Sequence, residues 1–358
     1  MAQNRMESRI HKRISSTNRL ALLMHDYVTS PNGKMGFGLM RYGVAPVVVV
    51  IDRANAGGNL RALTGISCDA PIVSTMEEAL TYSPDILVPA IAPGGGLLPE
   101  EWKSEIRTGI SNGLSLVNGL HIPMADDPYF AEMLKPNRFI WDIRQEPGGL
   151  ENGLGRAREL VCKRVLFVGT DMACGKMTAA LELHNGSLRR GIKSKFAATG
   201  QIGIAISGDG VPLDAVRIDF ATGAIEGLVM RLSTDSDCLF IEGQGSLLNP
   251  ASTATLALMR GACPTHMILV HRAGQKSIDR APWAIIPDLK RVIALNEMTC
   301  SAAGAMPAAR IVGIALVTSH LDDDQAQSAI SAIENYTGIV TTDVVRYGPD
   351  RLLDVLFS

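Results

Sequence analysis

The stretch VLFVGTDMACGKMTAALEL, residues 165–183, decides how the chain is read. An apolar run suited to a buried strand enters a Gly-rich turn, which ends in Gly175-Lys176 and opens a helical pattern. That order aims several backbone N–H groups at one point and adds the partial positive charge of a helix N-terminus, so an anion is the natural guest. Lys176 brings a full charge that can follow phosphate oxygens. The candidate cofactor loop is therefore Gly169, Thr170, Asp171, Met172, Ala173, Cys174, Gly175, Lys176, Met177 and Thr178.

The spacing departs from the usual phosphate loop. Five residues separate Gly169 from Gly175 where four are usual, and Met177 stands where a hydroxyl normally follows the lysine. That hydroxyl ordinarily completes Mg²⁺ coordination; here Thr178 comes one position later, and it would hold a metal, together with Glu242, only if the chemistry uses Mg²⁺. Cys174 sits where a helix N-terminus would stabilise a thiolate, but no histidine lies nearby in sequence to act as its base.

Downstream, two segments carry more small and polar residues at strand ends than packing needs: ATGQIGIAISGDGVPLDAVRIDFATGAIE (198–226) and IEGQGSLLNP (241–250). Ligands sit at such edges in open α/β sheets. Glu242 follows the apolar run CLFI, placed to hold Mg²⁺ or to take a proton. Gly243, Gly245 and Ser246 allow close backbone approach, and Gln244 offers an amide that can read a carboxylate or amide. Gln201 ends the preceding strand, while Asp219 and Glu226 are candidates for a substrate amine or a metal; a solvated helix face explains Glu226 equally well. His271 and Arg272 close the strand HMILV and could meet an adenine, a ribose or an acidic substrate.

Around these motifs the chain alternates strands and helices twice. Apolar runs at 20–25, 47–52, 85–92 and 115–120 read as buried parallel strands, with helices predicted over 35–42, 75–82 and 99–112. A second series starts near 163 and continues through 194–199, 238–243, 266–271 and 310–317, followed by a helix begun by Asp322–Asp324 and stopped at Gly338. The stretch 129–160, with two prolines and Gly148-Gly149, reads as a linker. The division is a tail over 1–18, a Rossmann-like α/β domain over 19–128, the linker over 129–160, and a P-loop NTPase-like, doubly wound parallel-sheet domain over 161–358. Asp52 ends VVVVID where a dinucleotide fold would hold a ribose, but no G-x-G-x-x-G precedes it, so NAD is not expected.

With 358 residues the chain suits two cores. Its 34 basic and 36 acidic residues are interspersed, giving a net charge of −2, so neither nucleic acid nor an anionic membrane is an expected partner. The six cysteines show no C-x-x-C pair, which suits a reducing cytoplasm. No apolar run approaches the roughly 20 residues of a membrane span. The apolar cluster 253–259 reads as core or as a subunit interface, and a homo-oligomer is expected.

Taken together, GTDMACGKMT, ATGQIGIAISGDGVPLDAVRIDF and IEGQGSLLNPA resemble a P-loop family, formerly uncharacterised, that includes the D-glutamate N-acetyltransferases; the GTD-x-x-x-GK start is also distantly similar to dethiobiotin synthetase. The resemblance extends to APGGGLLPEEW (92–102) and VNGLH (117–121). It implies an N-acyltransferase acting on a small amino acid or carboxylate with acetyl-CoA, the loop on the coenzyme diphosphate and Glu242 or Asp219 taking the amine proton. Lys176, Asp219 and Glu242 are the catalytic candidates. The alternative is an ATP- and Mg²⁺-dependent ligase or kinase that activates a substrate carboxylate.

Overall fold

The computed structural model describes residues 14–358 apart from Pro93. Residues 1–13 of the expected tail, and Pro93 of the Pro93–Gly96 loop, lie outside the described residues. The described chain forms two units that are not contiguous in sequence. The first runs through Glu146 and takes in Gln201–Ala215; the second comprises Pro147–Gly200 and Val216–Ser358.

The first unit is a six-stranded sheet: β1 (Leu20–Leu23), β2 (Val47–Ile51), β3 (Ile72–Val73), β4 (Ile86–Pro89), β5 (Ser115–Asn118) and β6 (Ile140–Asp142). Its order is β3-β2-β1-β4-β5-β6, parallel throughout, which is the Rossmann arrangement. β1, β4 and β5 are buried along their whole length, as an apolar run covered on both faces requires. Thr75 caps the helix Met76–Leu80 through Glu78 N–H, as its sequence predicts. The helix expected over 99–112 starts only at Trp102, because Pro99 and Glu100 spend their carbonyls on tight turns to Trp102 and Lys103. The segment 129–160 read as a linker contains β6 and a 3-10 turn at Arg156–Glu159. Asp52 has both carboxylate oxygens engaged, by Asp26 N–H, Ala54 N–H and the Asn55 amide.

The short helix Gln201–Ser207 belongs to this first unit, packed against the helix Lys34–Tyr42. Its sequence, QIGIAIS, is apolar on nearly every side, and Ile202 through Ile206 are all buried.

The second unit carries β7 (Lys163–Gly169), β8 (Ser194–Ala197), β9 (Cys238–Ile241) and β10 (His266–Arg272). After an antiparallel hairpin, β11 (Ser277–Ile278) and β12 (Ala281–Ile285), come β13 (Arg310–Val317) and β14 (Thr341–Thr342). The parallel sheet has the order β14-β13-β10-β7-β9-β8. β7 is thus the strand from which the chain winds first one way and then the other, and its carboxyl end is the topological switch point. The helix Asp323–Thr337 has the reciprocal cap of Asp322 with Gln325 and ends on Gly338 in the left-handed conformation. The cluster 253–259 is core: Thr255, Ala257, Leu258 and Met259 are buried in the helix Ala254–Ala262, which packs on the helix Ile218–Leu232.

Glu226, read as a ligand or as a solvated face, is neither. It is fully buried and accepts from Arg156 Nε at 2.6 Å, Arg156 N–H at 2.7 Å and Leu154 N–H at 3.1 Å. Burial pushes its carboxyl up, but these donors outweigh burial and hold it below its ordinary value. Gly223 on the same helix is there for close packing, since a Cβ would lie 1.8 Å from the Glu151 carbonyl oxygen.

Candidate functional site

The loop 170–175 leaves the carboxyl end of β7 and enters the helix Lys176–Arg189 through Gly175 at φ 102°, a left-handed geometry that favours glycine. No side chain caps this helix, so the N–H groups of its first turn have no partner within it. Gly169 lets the loop curl tightly; a Cβ there would meet Cys174 Sγ at 2.5 Å and Lys176 Nζ at 3.1 Å. Lys176 is buried, and its ammonium donates to the carbonyl oxygens of Asp171 (2.7 Å) and Met172 (2.9 Å), with Cys174 Sγ at 3.7 Å. Cys174 is itself buried, its thiol turned to the Asp171 and Val270 carbonyls.

Asp171 is the strut of the loop. One carboxylate oxygen accepts from Met172 N–H (2.7 Å) and the Asn249 amide (2.8 Å), the other from the Gln275 amide and Asp279 N–H, both at 2.9 Å. Burial alone would raise this carboxyl, but the donors, led by Asp279 N–H, hold it below its usual value. Thr170 shares a hydrogen bond with His271 Nδ1 at 3.0 Å. Burial pushes the His271 imidazole down to about 4, so at neutral pH it is an uncharged partner for the threonine rather than a cation.

On the other flank of β7, the register Leu166↔Ile241 brings Glu242 to the edge of the sheet beside the loop. Glu242 is buried, and its Oε2 accepts from Thr199 N–H (2.8 Å) and Gly200 N–H (3.0 Å). Burial pushes its carboxyl up to about 7, against those two donors and the nearby Lys176 charge. Gly243 passes so close to β7 that a Cβ would lie 1.7 Å from the Phe167 carbonyl oxygen and 2.8 Å from Lys176 Cδ. Gly245, at φ 72°, turns the chain against Ser252 and Thr255. Ser246 N–H is already committed to Ser252 Oγ at 3.1 Å, and the Gln244 carbonyl accepts from Thr255.

The fold thus gathers residues 169–178, 242–246 and His271 at one sheet edge. Met177 and Thr178 occupy the first turn of the helix, half-buried. Asp219 lies exposed in the first turn of the helix Ile218–Leu232 and makes no hydrogen bond to the loop. Gln201 opens the helix that belongs to the first unit, whereas Gly200 before it belongs to the second. Among the described residues no group of three or more His, Cys, Asp or Glu side chains is arranged to hold a metal ion. No described helix is long and apolar enough to cross a membrane. Sequence reasoning missed Gln275 and Asp279, which reach Asp171 from about a hundred residues away; no local signal announces them. Asn249 stands in the sequence only as a member of IEGQGSLLNP (241–250), with nothing local to mark its reach to Asp171.

Residues 151–353 match the P-loop domain of the family described as DUF1611, a domain of unknown function, and residues 53–146 match its Rossmann-like N-terminal domain. The chain belongs to the DUF1611 family. A crystal structure of a DUF1611 family protein from Anabaena variabilis is 51% identical, with a TM-score of 0.93, covering 95% of this chain and 99% of that one. Two curated relatives carry the name D-glutamate N-acetyltransferase. One, from Tritonibacter scottomollicae, is 38% identical over 289 residues, which is 79% of this chain and 84% of the relative. The other, from a Pseudoalteromonas species, is 32% identical over 278 residues, 77% of this chain and 82% of the relative.

Proposed function

We propose that this DUF1611 protein is an N-acetyltransferase that moves an acetyl group from acetyl-CoA to the amine of a small amino acid, D-glutamate being the acceptor its curated relatives' name points to. The observation that carries the reading is the pairing, across adjacent strands, of an uncapped Gly-Lys helix start with the buried carboxyl of Glu242. The relatives, similar over about four-fifths of the chain, support acetyl transfer over phosphoryl transfer.

The residues fit the coenzyme. Gly169 and Gly175 open the loop, and the N–H groups at the start of the helix suit a diphosphate. Phosphate oxygens would replace the Asp171 and Met172 carbonyls as acceptors for Lys176, exchanging neutral acceptors for charged ones. When bound, acetyl-CoA supplies a thioester, whose carbonyl carbon accepts the amine.

Glu242 as carboxylate takes the proton as the C–N bond forms, which its position near pH 7 allows without a large mismatch. The C–S bond then breaks and coenzyme A leaves as the thiolate, while the proton stays on Glu242 until solvent or the thiolate takes it. The developing oxyanion calls for fixed N–H donors. Ser246 N–H is spent, which leaves Gly243, Gln244 and Gly245 to provide them.

Calorimetric titration with acetyl-CoA and with ATP, each with and without Mg²⁺, tests this. Metal-independent acetyl-CoA binding, weakened at least about tenfold in Lys176→Ala, is the expected result. Mg²⁺-dependent ATP binding without acetyl-CoA binding would overturn the reading in favour of an ATP-dependent ligase or kinase.

A further inference from the structure

The turn of the β11–β12 hairpin is fastened to the phosphate loop. Asp279 N–H donates to Asp171 at 2.9 Å; the Gln275 amide donates to Asp171 at 2.9 Å, to the Ser277 carbonyl at 3.0 Å and to Asp279 at 3.2 Å. The turn is therefore held at a fixed place beside the loop. The next residue, Arg280, is exposed and forms no ion pair among the described residues.

Arg272 flanks the same edge. It ends β10 two residues beyond Val270, whose carbonyl accepts from Thr170 N–H at 3.1 Å, and its guanidinium is only loosely paired with Asp279, at 3.8 Å. Within the loop the charges of Lys176 and Asp171 offset one another, so a diphosphate there still lacks counter-charge. Arg272 ends the neighbouring strand and Arg280 sits in the fastened turn, with Lys276 exposed on the same hairpin; of these cations the two arginines carry the planar fork that pairs with phosphate.

We propose that the hairpin is a phosphate-reading arm: Arg280, assisted by Arg272, binds a phosphate group that the ligand carries beyond the diphosphate held by the loop. Arginine suits this task because its planar fork gives paired hydrogen bonds to phosphate, and a fixed turn spares the entropy of ordering the arm at binding. The extra group could be the 3′-phosphate of coenzyme A or the γ-phosphate of ATP. Its assignment as the 3′-phosphate rests on the acetyl-CoA reading.

The test is titration of the full chain, and of Arg280→Ala and Arg272→Ala, with coenzyme A, 3′-dephospho-coenzyme A, ATP and ADP. Coenzyme A is expected to bind the unmodified protein about tenfold more tightly than its dephospho form, one charge-assisted contact's worth. In Arg280→Ala that ratio falls to near one with dephospho-coenzyme A affinity unchanged, and Arg272→Ala lowers it in part. If both coenzyme forms bind the unmodified protein equally well, or the ratio survives in Arg280→Ala, the arm is overturned and the acetyl-CoA reading stands. If the protein instead discriminates ATP from ADP and Arg280→Ala abolishes that, the arm stands and the acetyl-CoA reading falls. Absence of binding by all four overturns both. Because Arg280 is an exposed turn residue, Arg280→Glu serves as a folded control that should invert the preference.

Discussion

Glu242→Gln is expected to lower kcat for acetyl transfer by about 10²–10⁴-fold, the usual share of a positioned general base. The amide keeps an oxygen for Thr199 N–H and Gly200 N–H, so the fold at the sheet edge survives while the proton acceptor is gone. The pH profile separates this from mere disturbance. Burial raises the carboxyl from 4.5 to about 7, so activity of the unmodified enzyme should rise through pH 7 and level off above it. The residual rate of Glu242→Gln should lack that limb. Stability moves the opposite way. The group's contribution is fully present below about 4.5, where both folded and unfolded chains are protonated, and it is lost as pH rises through about 7, a difference on the order of 3 kcal/mol. Thermal melts at pH 5 and pH 8 should therefore show a larger alkaline fall for the unmodified protein than for Glu242→Gln. An unchanged kcat, or a variant that keeps the limb near pH 7, would remove Glu242 from the chemistry.

The second large effect is expected at Gly243. An alanine Cβ would stand 1.7 Å from the carbonyl oxygen of Phe167, and that carbonyl belongs to β7, a strand held by neighbours on both sides. Neither backbone can yield without opening the sheet, so Gly243→Ala should cost about 3 kcal/mol or more and lower the melting temperature of the second unit by roughly 6–12 °C. Because the same Cβ would press on Lys176 Cδ at 2.8 Å, ligand binding at the loop should be lost even at temperatures where the chain stays folded. Gly227→Ala is the matched control. It lies exposed inside the helix Ile218–Leu232 with nothing within 4 Å of the added carbon, and it should gain up to about 1 kcal/mol from helix propensity. If calorimetry shows the two variants melting alike, the close approach at Gly243 is not what holds the loop.

Much of this arrangement is legible in the residues because its causes are local. A continuous apolar run needs cover on both faces, which is why VLFV, CLFI and MILV announce buried parallel strands. Capping is equally local: Thr75 caps the helix read from residue 75, and Asp322 caps the helix read as begun by Asp322–Asp324. The phosphate loop is legible for the same reason, since glycine geometry, a lysine and a helix start are all within ten residues of one another. Glu226 shows where such reasoning stops. Its helical context fits solvent as well as burial, and only the return of Arg156 across seventy residues decides for burial and an ion pair.

The amino-acid sequence by itself determined the two α/β domains, the phosphate loop at 169–178 and the candidacy of Glu242, because strand burial, turn geometry and helix capping are written in neighbouring residues. Only the tertiary structure decided that Gln201 belongs to the first unit and that Ser246 N–H is committed to Ser252. It also decided that Asp171 is a strut tied to Asn249, Gln275 and Asp279 and that Glu242 is buried, which pushes its carboxyl up to about 7. Those outcomes depend on which distant donors, carbonyls and charges meet and on how much water is shut out, and such quantities exist only once the sheet has been assembled.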